Sequence, residues 1–308
     1  MTVGDVVGHF EYGHADRGNG NNVSLRVLTA EWNFGPGKLL IGQRETPTSF
    51  FTSTQVAMED RNMLGWGSRY IGRAPMIQLT MGDFKFAAVT NQGAAGMVTG
   101  APGAQRTEIQ IPQIQASYLF KLDGLTVNLA GAYQTYDIYD NTDPAQQKES
   151  VDSYLVALGA IYNVGPFGFF GDLFIGENLR NLGFSRIGTA GVATTGTAGY
   201  DQPVWDGVNN KVEDSDTYGW LLGAKYKVND MLGLEVAYGE RKDKVEFGVI
   251  NQNQKAKTYY IQAPITLAKG IWIVPEAGVF DYGDRDNSGV TTDFGKTKYF
   301  GAKWQINF

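Results

Sequence analysis

Cysteine is absent from the sequence, and only two of its 308 residues are histidine. Without cysteine, neither disulfides nor thiolate metal sites can form. The two histidines, His9 and His14, lie near the N-terminus with no serine nucleophile motif beside them. Because hydrolases of the Ser–His type and proteases of the His–carboxylate type need a positioned imidazole, we interpret His9 as a strand residue and His14 as a loop residue. We therefore expect neither enzyme activity nor a cofactor.

Long apolar runs and basic stretches are also missing. No segment approaches the roughly 18 consecutive apolar residues of a membrane-spanning helix, so a helical membrane protein is excluded. The formal net charge is -6, and no basic stripe indicates a nucleic-acid partner. The first ten residues, "MTVGDVVGHF", lack the charged and apolar regions of a signal peptide. If the protein is exported, we expect this numbering to describe a mature or re-engineered form.

Aromatic residues and glycine are, by contrast, abundant. The chain has 16 Tyr, 17 Phe and 40 Gly, whereas average glycine usage is about 7%. Strands that bend, bulge or pack closely tolerate glycine. The length of 308 residues is compatible with two soluble domains or with one large barrel.

Period-two alternation of apolar and polar residues recurs along the chain, whereas helical periodicity is hard to find. In the clearest case, residues 113–122 and 125–134 alternate on both sides of Asp123-Gly124, which is a strong hairpin signal. The pattern predicts fourteen strands, near 4–13, 22–34, 38–45, 74–81, 84–91, 108–122, 125–137, 151–164, 167–178, 217–229, 232–241, 257–267, 270–281 and 296–308.

The predicted connections alternate between short and long. The short ones are 35–37, 82–83, 123–124, 165–166, 229–230 and 269–270. The long ones are 14–21, 46–73, 92–107, 138–150, 179–216, 242–256 and 282–295. Short periplasmic turns and long extracellular loops are typical of a transmembrane β-barrel. We therefore predict one all-β domain over residues 1–308, an antiparallel transmembrane β-barrel.

Aromatic residues near the predicted strand ends support this choice, because aromatic rings favour the membrane–water boundary. The residues that would form two girdles are Tyr118, Phe120, Tyr133, Tyr162, Phe167, Trp220, Tyr226, Tyr238, Trp304 and Phe308. The alternative is that they fill the core of a soluble β-sandwich. Such a sandwich would have to hold all the strands and long polar loops and to protect its sheet edges, whereas a closed barrel has no edges.

Two segments of the chain resemble the general porins of Gram-negative outer membranes. The stretch "FGPGKLLIGQRETP" at 34–47 is similar to the porin strand that leads into a loop folded inside the pore, with Gly42-Gln43-Arg44 matching its signature approximately. Residues 73–90 are similar to the hairpin that follows that loop. The terminal strand, ending at Phe308, resembles the signal read by the outer-membrane barrel assembly machinery.

The resemblance implies that loop 46–72 enters the pore and that the chain resides in the outer membrane. It also implies a homotrimer in contact with the lipid bilayer and lipopolysaccharide. General porins usually have two more strands before the constriction-loop strand, making about sixteen. Fourteen strands would mean either a smaller barrel or a chain without an N-terminal hairpin that its relatives have.

Charged residues opposite the apolar face of each strand are predicted to line an aqueous lumen, although Arg26, Asp172 and Glu276 lie in strands of mixed parity. A lipid-facing Lys or Arg costs ~2–4 kcal/mol at mid-bilayer, whereas a lumen charge does not. By resemblance, Glu59 and Asp60 of the loop would face a basic wall cluster across the narrowest point. That cluster is Arg26, Arg44, Lys85 and Lys121. The alternative is that Glu59, Asp60 and Arg61 form a local charge cluster on an exposed loop. Further predicted lumen charges are Asp172, Lys225, Lys227, Glu235, Arg241 and Glu276.

The stretch "DRDNSGVTTDFG" at 284–295 begins like a calcium loop, with Asp284, Asp286 and Ser288 at ligand positions. Its twelfth position, where a calcium loop needs a bidentate glutamate, is Gly295. We therefore interpret the stretch as a polar extracellular loop with weak calcium affinity at most.

These features favour an outer-membrane porin that lets small hydrophilic solutes and ions diffuse passively. One alternative is a substrate-selective channel, for which Tyr136, Tyr260 and Trp272 could contribute an aromatic ladder. Another is a structural or adhesive barrel with a plugged lumen, favoured by the long segment 179–216.

Overall fold

The large sheet of this computed structural model is antiparallel and has 19 strands, and a separate sheet has two. The structure describes residues 2–3, 5–14, 23–57, 62–91, 98–100, 105–140, 148–185, 187, 200–248 and 250–307. A short 3-10 helix, Leu179–Leu182, lies in the long segment after the eleventh strand. Within these ranges, no helix has the length and apolar character needed to span a membrane.

The strands alternate with turns and loops along the whole chain. They are β1 (Thr2–Val3), β2 (Val6–His14), β3 (Val23–Asn33), β4 (Lys38–Glu45), β5 (Arg73–Met81), β6 (Phe84–Val89), β7 (Gln105–Glu108), β8 (Gln113–Leu122), β9 (Leu125–Asp140), β10 (Lys148–Val164), β11 (Phe167–Glu177), β12 (Val204–Asp206), β13 (Lys211–Glu213), β14 (Ser215–Lys227), β15 (Gly233–Phe247), β16 (Ile250–Gln262), β17 (Ile265–Ala268), β18 (Ile271–Asp281), β19 (Asp284–Asn287), β20 (Val290–Asp293) and β21 (Lys296–Ile306).

Among the described residues, fourteen strands form one continuous antiparallel ladder, in which each pairs with the next. These wall strands are β2, β3, β4, β5, β6, β8, β9, β10, β11, β14, β15, β16, β18 and β21. They correspond one to one with the fourteen predicted strands. Short strands extend them, since β7 continues β8, β17 continues β16, and β19 and β20 form a hairpin beyond β18 and β21. The predicted antiparallel barrel is confirmed.

The ladder of the described residues begins at β2 and ends at β21, and no pairing between these two strands is found within it. The pairing of the last strand with the first therefore stays a prediction. Phe308, the predicted assembly signal, lies outside the described residues.

Tight turns connect the wall strands at one end of the barrel. The turns at 82–83, 123–124 and 165–166 each join directly paired residues, such as Leu122 and Leu125. Gly82, Gly124 and Gly165 have φ of +58°, +69° and +55°. Two-residue hairpin turns need this left-handed conformation, which glycine adopts without steric cost.

At the other end, two predicted loops are wrong because the strands continue through them. β9 and β10 extend to Asp140 and from Lys148, and β15 and β16 are separated only by residues 248–249. The predicted loop 242–256 is thus largely a tall hairpin. Beyond the lipid both strand faces meet water or polar loops, so the apolar–polar alternation that marks a strand disappears there.

The outer face of the wall is apolar and ends in aromatic residues. Leu222 exposes 63% of its surface, whereas its neighbour Leu221 points inward and is fully buried. Near the tight turns, the rings of Phe167 and Tyr226 lie 5.0 Å apart, and towards the loops Trp220 and Tyr238 lie 5.3 Å apart. Aromatic pairs at both strand ends correspond to the predicted girdles.

Candidate functional site: the barrel lumen

The described residues of loop 46–72, which are 46–57 and 62–72, lie inside the barrel and cross its lumen, as predicted. Thr48 Oγ1 donates to the side chain of Gln115 on β8 at 2.9 Å. Further along, the Val56 N–H donates at 2.7 Å to the carboxylate of Glu276 on β18. β8 and β18 belong to different sectors of the wall, so the loop spans from one sector to another.

The first half of the loop is held by two glutamates that face inward from the wall. Thr54 Oγ1 donates to Glu235 at 2.6 Å. The backbone N–H groups of Val56 and Ala57 donate to the two oxygens of Glu276 at 2.7 and 2.9 Å. Both predicted lumen carboxylates therefore accept hydrogen bonds from the loop. Without an acceptor, a buried N–H costs about 1–3 kcal/mol.

Two tyrosines complete this attachment. The Tyr260 hydroxyl donates to Glu235 and lies 2.8 Å from Ser53 Oγ. The Tyr299 hydroxyl donates to Glu276 at 2.9 Å and accepts from Gln55 Nε2 at 3.1 Å. Tyr260, considered above as part of an aromatic ladder, thus positions the loop.

The returning half of the loop packs closely on the wall backbone. The buried indole of Trp66 lies 5.1 Å from the rings of both Phe280 and Tyr282. Gly67 has φ of +115°, and a Cβ there would lie 2.2 Å from the carbonyl oxygen of Trp220. A side chain at residue 67 would therefore be incompatible with the seated loop.

A buried ion pair, Arg69 with Asp172, fixes the end of the loop. Arg69 Nε lies 3.4 Å from the Asp172 carboxylate, and its Nη2 donates to Asn128 Oδ1 at 2.7 Å. Burial lowers the pKa of the Arg69 guanidinium, and the charge of Asp172 raises it. Sequence reasoning found Asp172 by strand parity but missed Arg69, because a loop arginine has no periodic signal.

The long segment after β11 covers the same side of the lumen. Leu179, Leu182 and Phe184 are buried against wall residues and against Ile71 of the inner loop. Arg241, predicted as a lumen charge, faces inward but is fully buried, with Asp201 at 3.2 Å and Asp243 at 2.8 Å. It anchors this segment and does not line a water-filled path.

Inward charged side chains that reach solvent are found on strands β2 to β8 and, near the tight turns, at Lys225 of β14, whose side chain exposes 38% of its surface. The side chains of Arg26, Lys38 and Lys121 expose 42%, 51% and 59% of their surface. By contrast, Asp172 and Glu235, on strands covered by the loops, expose 0% and 3%. The open part of the lumen therefore adjoins these exposed charges. The inner faces of β4 to β6 also carry a buried apolar cluster, which consists of Leu40, Ala74, Met76, Ala87 and Val89.

Arg26 occupies a β-bulge, which explains its mixed parity in the sequence. Glu11 pairs with Val27 and Tyr12 with Leu25, so Arg26 has no cross-strand partner. Its side chain forms an ion pair with Glu11. A Cβ at Gly13 would lie 2.2 Å from Arg26 Cδ, so this glycine leaves room for the arginine along the wall.

The rest of the predicted basic cluster is partly neutralised. Lys121 forms an ion pair with Asp83. The charges of Arg44, Glu31 and Lys121 all act on Lys85, so one carboxylate lies among these cations. Within the described part of the chain, no ion pair joins Arg44 or Lys85 to a carboxylate. The acidic counterparts predicted on the loop, Glu59 and Asp60, lie outside the described residues.

The remaining lumen candidates lie towards the tight turns. Lys225 Nζ is 3.3 Å from Glu235 and 5.0 Å from the centre of the Phe170 ring. Lys227 pairs with Asp230 at 2.6 Å across a turn.

Residues 284–295, predicted to form a polar loop with weak calcium affinity at most, contain a β-hairpin. Asp284 and Asp286 belong to β19, which pairs with β20 around a tight turn at Ser288-Gly289. The Asp286 carboxylate accepts a hydrogen bond from the Gly289 N–H at 2.9 Å. Among the residues described, no group of three or more His, Cys, Asp or Glu is placed to hold a metal ion.

An apolar outer band, tight turns at one end and a loop that crosses the lumen define a membrane channel of the β-barrel class. Residues 6–288 match the model of the Gram-negative porin family. The chain therefore belongs to the Gram-negative porins, which are outer-membrane channels and not enzymes.

Solved structures share this fold at low sequence identity. The outer membrane channel DcaP of Acinetobacter baumannii is 17% identical, with a TM-score of 0.65 over 99% of this chain and 82% of that one. An anion-selective porin from Comamonas acidovorans is 16% identical, with a TM-score of 0.54 over 98% and 84%. OmpT, an outer membrane protein of Vibrio cholerae, is 13% identical with a TM-score of 0.54 over 99% and 86%. Comparison with curated protein sequences gives no match.

Proposed function

We propose that the chain forms a water-filled channel for passive diffusion of small hydrophilic solutes and ions. The observation that carries this proposal is that loop 46–72 is bound to one side of the barrel wall. Its contacts bind it to strands between β8 and β21, while Arg26, Lys38 and Lys121 on β3, β4 and β8 face inward and reach solvent. Solutes pass between the loop and these first strands.

Recording from the purified chain in a planar bilayer tests the proposal. Steady open pores whose current rises in proportion to salt are expected. Saturation of the current by a single solute would instead favour a substrate-selective channel. A complete lack of conductance would favour a structural barrel with a plugged lumen, the alternative that the buried packing of Leu179, Leu182 and Phe184 supports.

We further propose a transverse field at the constriction, with Glu59 and Asp60 opposite Arg26, Arg44, Lys85 and Lys121. Loop residue Ala57, just before the acidic pair, is bound to Glu276 on β18, whereas the basic residues lie on β3 to β8. Charges facing one another at close quarters orient polar solutes and set ion selectivity. The double variant E59Q/D60N should shift the reversal potential in a KCl gradient towards anions. An unchanged reversal potential would show that Glu59 and Asp60 do not contribute to ion selectivity.

We also propose a homotrimer in the outer membrane, in contact with lipopolysaccharide and assembled by the barrel assembly machinery. The family resemblance supports this proposal. Native mass spectrometry of the chain in detergent should give a mass of three copies, and a mass of one copy would contradict it.

A further inference from the structure

The lumen face of loop 46–72 carries aromatic side chains as well as polar ones. Phe50 and Arg69 face the covered wall, where Arg69 lies 5.5 Å from the centre of the Phe50 ring. The next residues along the chain, Phe51 and Tyr70, form a second pair with ring centres 5.5 Å apart. Phe51 exposes 41% of its surface, although it lies within the barrel. An exposed phenylalanine in an aqueous lumen offers an apolar contact to a passing solute.

Cations lie beside this aromatic pair. Arg73 Nη1 donates to the Tyr70 hydroxyl at 3.1 Å. Burial raises the pKa of the Tyr70 phenol, whereas the positive charges of Arg73 and Arg26 lower it, so both guanidinium groups are within electrostatic range of the ring. Arg26 belongs to the wall, and Tyr70 belongs to the loop. The aromatic pair and the basic wall therefore border the same space.

Among the described residues, which do not include Glu59 and Asp60, this space holds more cations than carboxylates. Arg26 pairs with Glu11, Lys38 with Glu31 and Arg73 with Glu45. In the described part of the lumen, Arg44 and Lys85 have no carboxylate within ion-pair distance. Arg44 is the neighbour of Glu45 on β4 and faces inward, and its charge acts on Lys85. The basic residues thus continue from the aromatic pair towards the tight turns.

We propose that the channel prefers small amphipathic anions, namely carboxylates that carry an aromatic or other flat apolar body. The apolar body contacts Phe51 and Tyr70 on the loop, and the carboxylate faces Arg44 and Lys85 on the wall. The proposal rests on the proposed diffusion function and names its solute class. Neutral sugars lack both features, and aromatic cations are repelled by the wall.

Four probe solutes separate charge from aromatic character. Permeability ratios are measured in a planar bilayer from reversal potentials with sodium benzoate, sodium propionate and benzylammonium chloride, and glucose entry is measured by liposome swelling. Benzoate should permeate better than propionate despite its larger size, and benzylammonium should permeate least among the ions. A benzoate permeability no higher than that of benzylammonium overturns the proposal.

Variants of Arg44, Lys85 and Phe51 test whether these residues cause the solute preference. R44Q/K85Q should lower the permeability of both carboxylates by about threefold per charge, and their ratio to benzylammonium by about tenfold per charge, if the solute charge passes ~6 Å away in water. The control K148Q/K211Q removes the same number of cations at the extracellular end and should leave the ratio nearly unchanged. F51S should lower benzoate permeability but not that of propionate, and F51L should have a smaller effect because it keeps an apolar side chain.

The outcomes distinguish this inference from the proposed function. If the wild-type chain conducts no ions, the diffusion function itself fails. If it conducts but R44Q/K85Q and both Phe51 variants keep the wild-type ratios, the diffusion function stands and the solute preference is wrong. Heat-modifiable migration in gels verifies that each variant forms the barrel before it is recorded.

Discussion

At the scale of single residues, the Arg69–Asp172 pair shows how the inner loop depends on buried charge. Both side chains are fully removed from solvent. Removing one partner of a buried pair leaves an uncompensated charge and costs about 3–5 kcal/mol, whereas replacing both by apolar residues is often neutral or stabilising. The pair therefore fixes the loop without necessarily adding to net stability.

We expect D172N to reduce the free energy of unfolding, measured by urea titration in detergent micelles, by about 3–5 kcal/mol. The double variant R69M/D172L should recover most of this loss, because it leaves no buried charge. If D172N is as stable as the wild type, the pair does not hold the loop as described.

Gly67 provides a second test at the residue scale. Its φ is +115°, and a Cβ at this residue would lie 2.2 Å from the Trp220 carbonyl oxygen, which leaves no room for alanine. We expect G67A to displace the returning half of the loop, at a cost of about 1–3 kcal/mol in backbone strain alone. Single-channel recording should then show altered conductance with larger fluctuations.

Gly301 supplies the matched control for this substitution. It lies on a wall strand, and a Cβ there meets nothing within 4 Å. G301A should leave the single-channel current unchanged. Equal currents from G67A and the wild type would show that the loop does not contribute to the constriction.

At the scale of elements, carboxylates of the wall strands hold the first half of loop 46–72 in place. Glu276 accepts two backbone N–H groups of the loop, at 2.7 and 2.9 Å. We expect E276A to increase hydrogen exchange of residues 53–57 by roughly tenfold or more, because an unpaired buried N–H costs about 1–3 kcal/mol. Exchange in β9 and β10 should not change.

A matched control for E276A is E108A, since Glu108 is an exposed acceptor for the Tyr139 hydroxyl far from the loop. It should leave exchange of residues 53–57 at the wild-type rate. If these residues exchange as slowly in E276A as in the wild type, contacts other than Glu276 hold the loop.

Most wall strands could be predicted from sequence, because lipid on one face and water on the other impose an alternation with period two. The same alternation placed Glu235 on the inner face and made Glu276, on a strand of mixed parity, a candidate for it. It could not predict that Arg241 is buried, because the covering residues, including Asp201, come from a distant loop. The alternation did not decide whether Arg26 faces the lumen or the lipid, because a bulge breaks the period of two at that residue.

At the scale of the whole molecule, the barrel divides into a filled side and an open side. Two long connections cover the inner faces of the later strands, and Arg26, Lys38 and Lys121 on earlier strands face inward and reach solvent. The division is not complete, because the inner faces of β4 to β6 carry a buried apolar cluster and Lys225 on β14 is 38% exposed. Under the proposed diffusion function, this asymmetry determines where solutes pass, which the shared fold of porins does not by itself specify. The position of the path is therefore the central claim about this channel.

Because the chain contains no cysteine, single cysteines can test the path directly. Glu11 faces inward on β2, Thr217 faces inward under the covering loops, and Leu222 faces outward. Each is replaced by cysteine, and a water-soluble, negatively charged methanethiosulfonate is added during single-channel recording. The path described here predicts a stepwise fall in current for E11C and no change for T217C or L222C. A fall in current for T217C with none for E11C would contradict it.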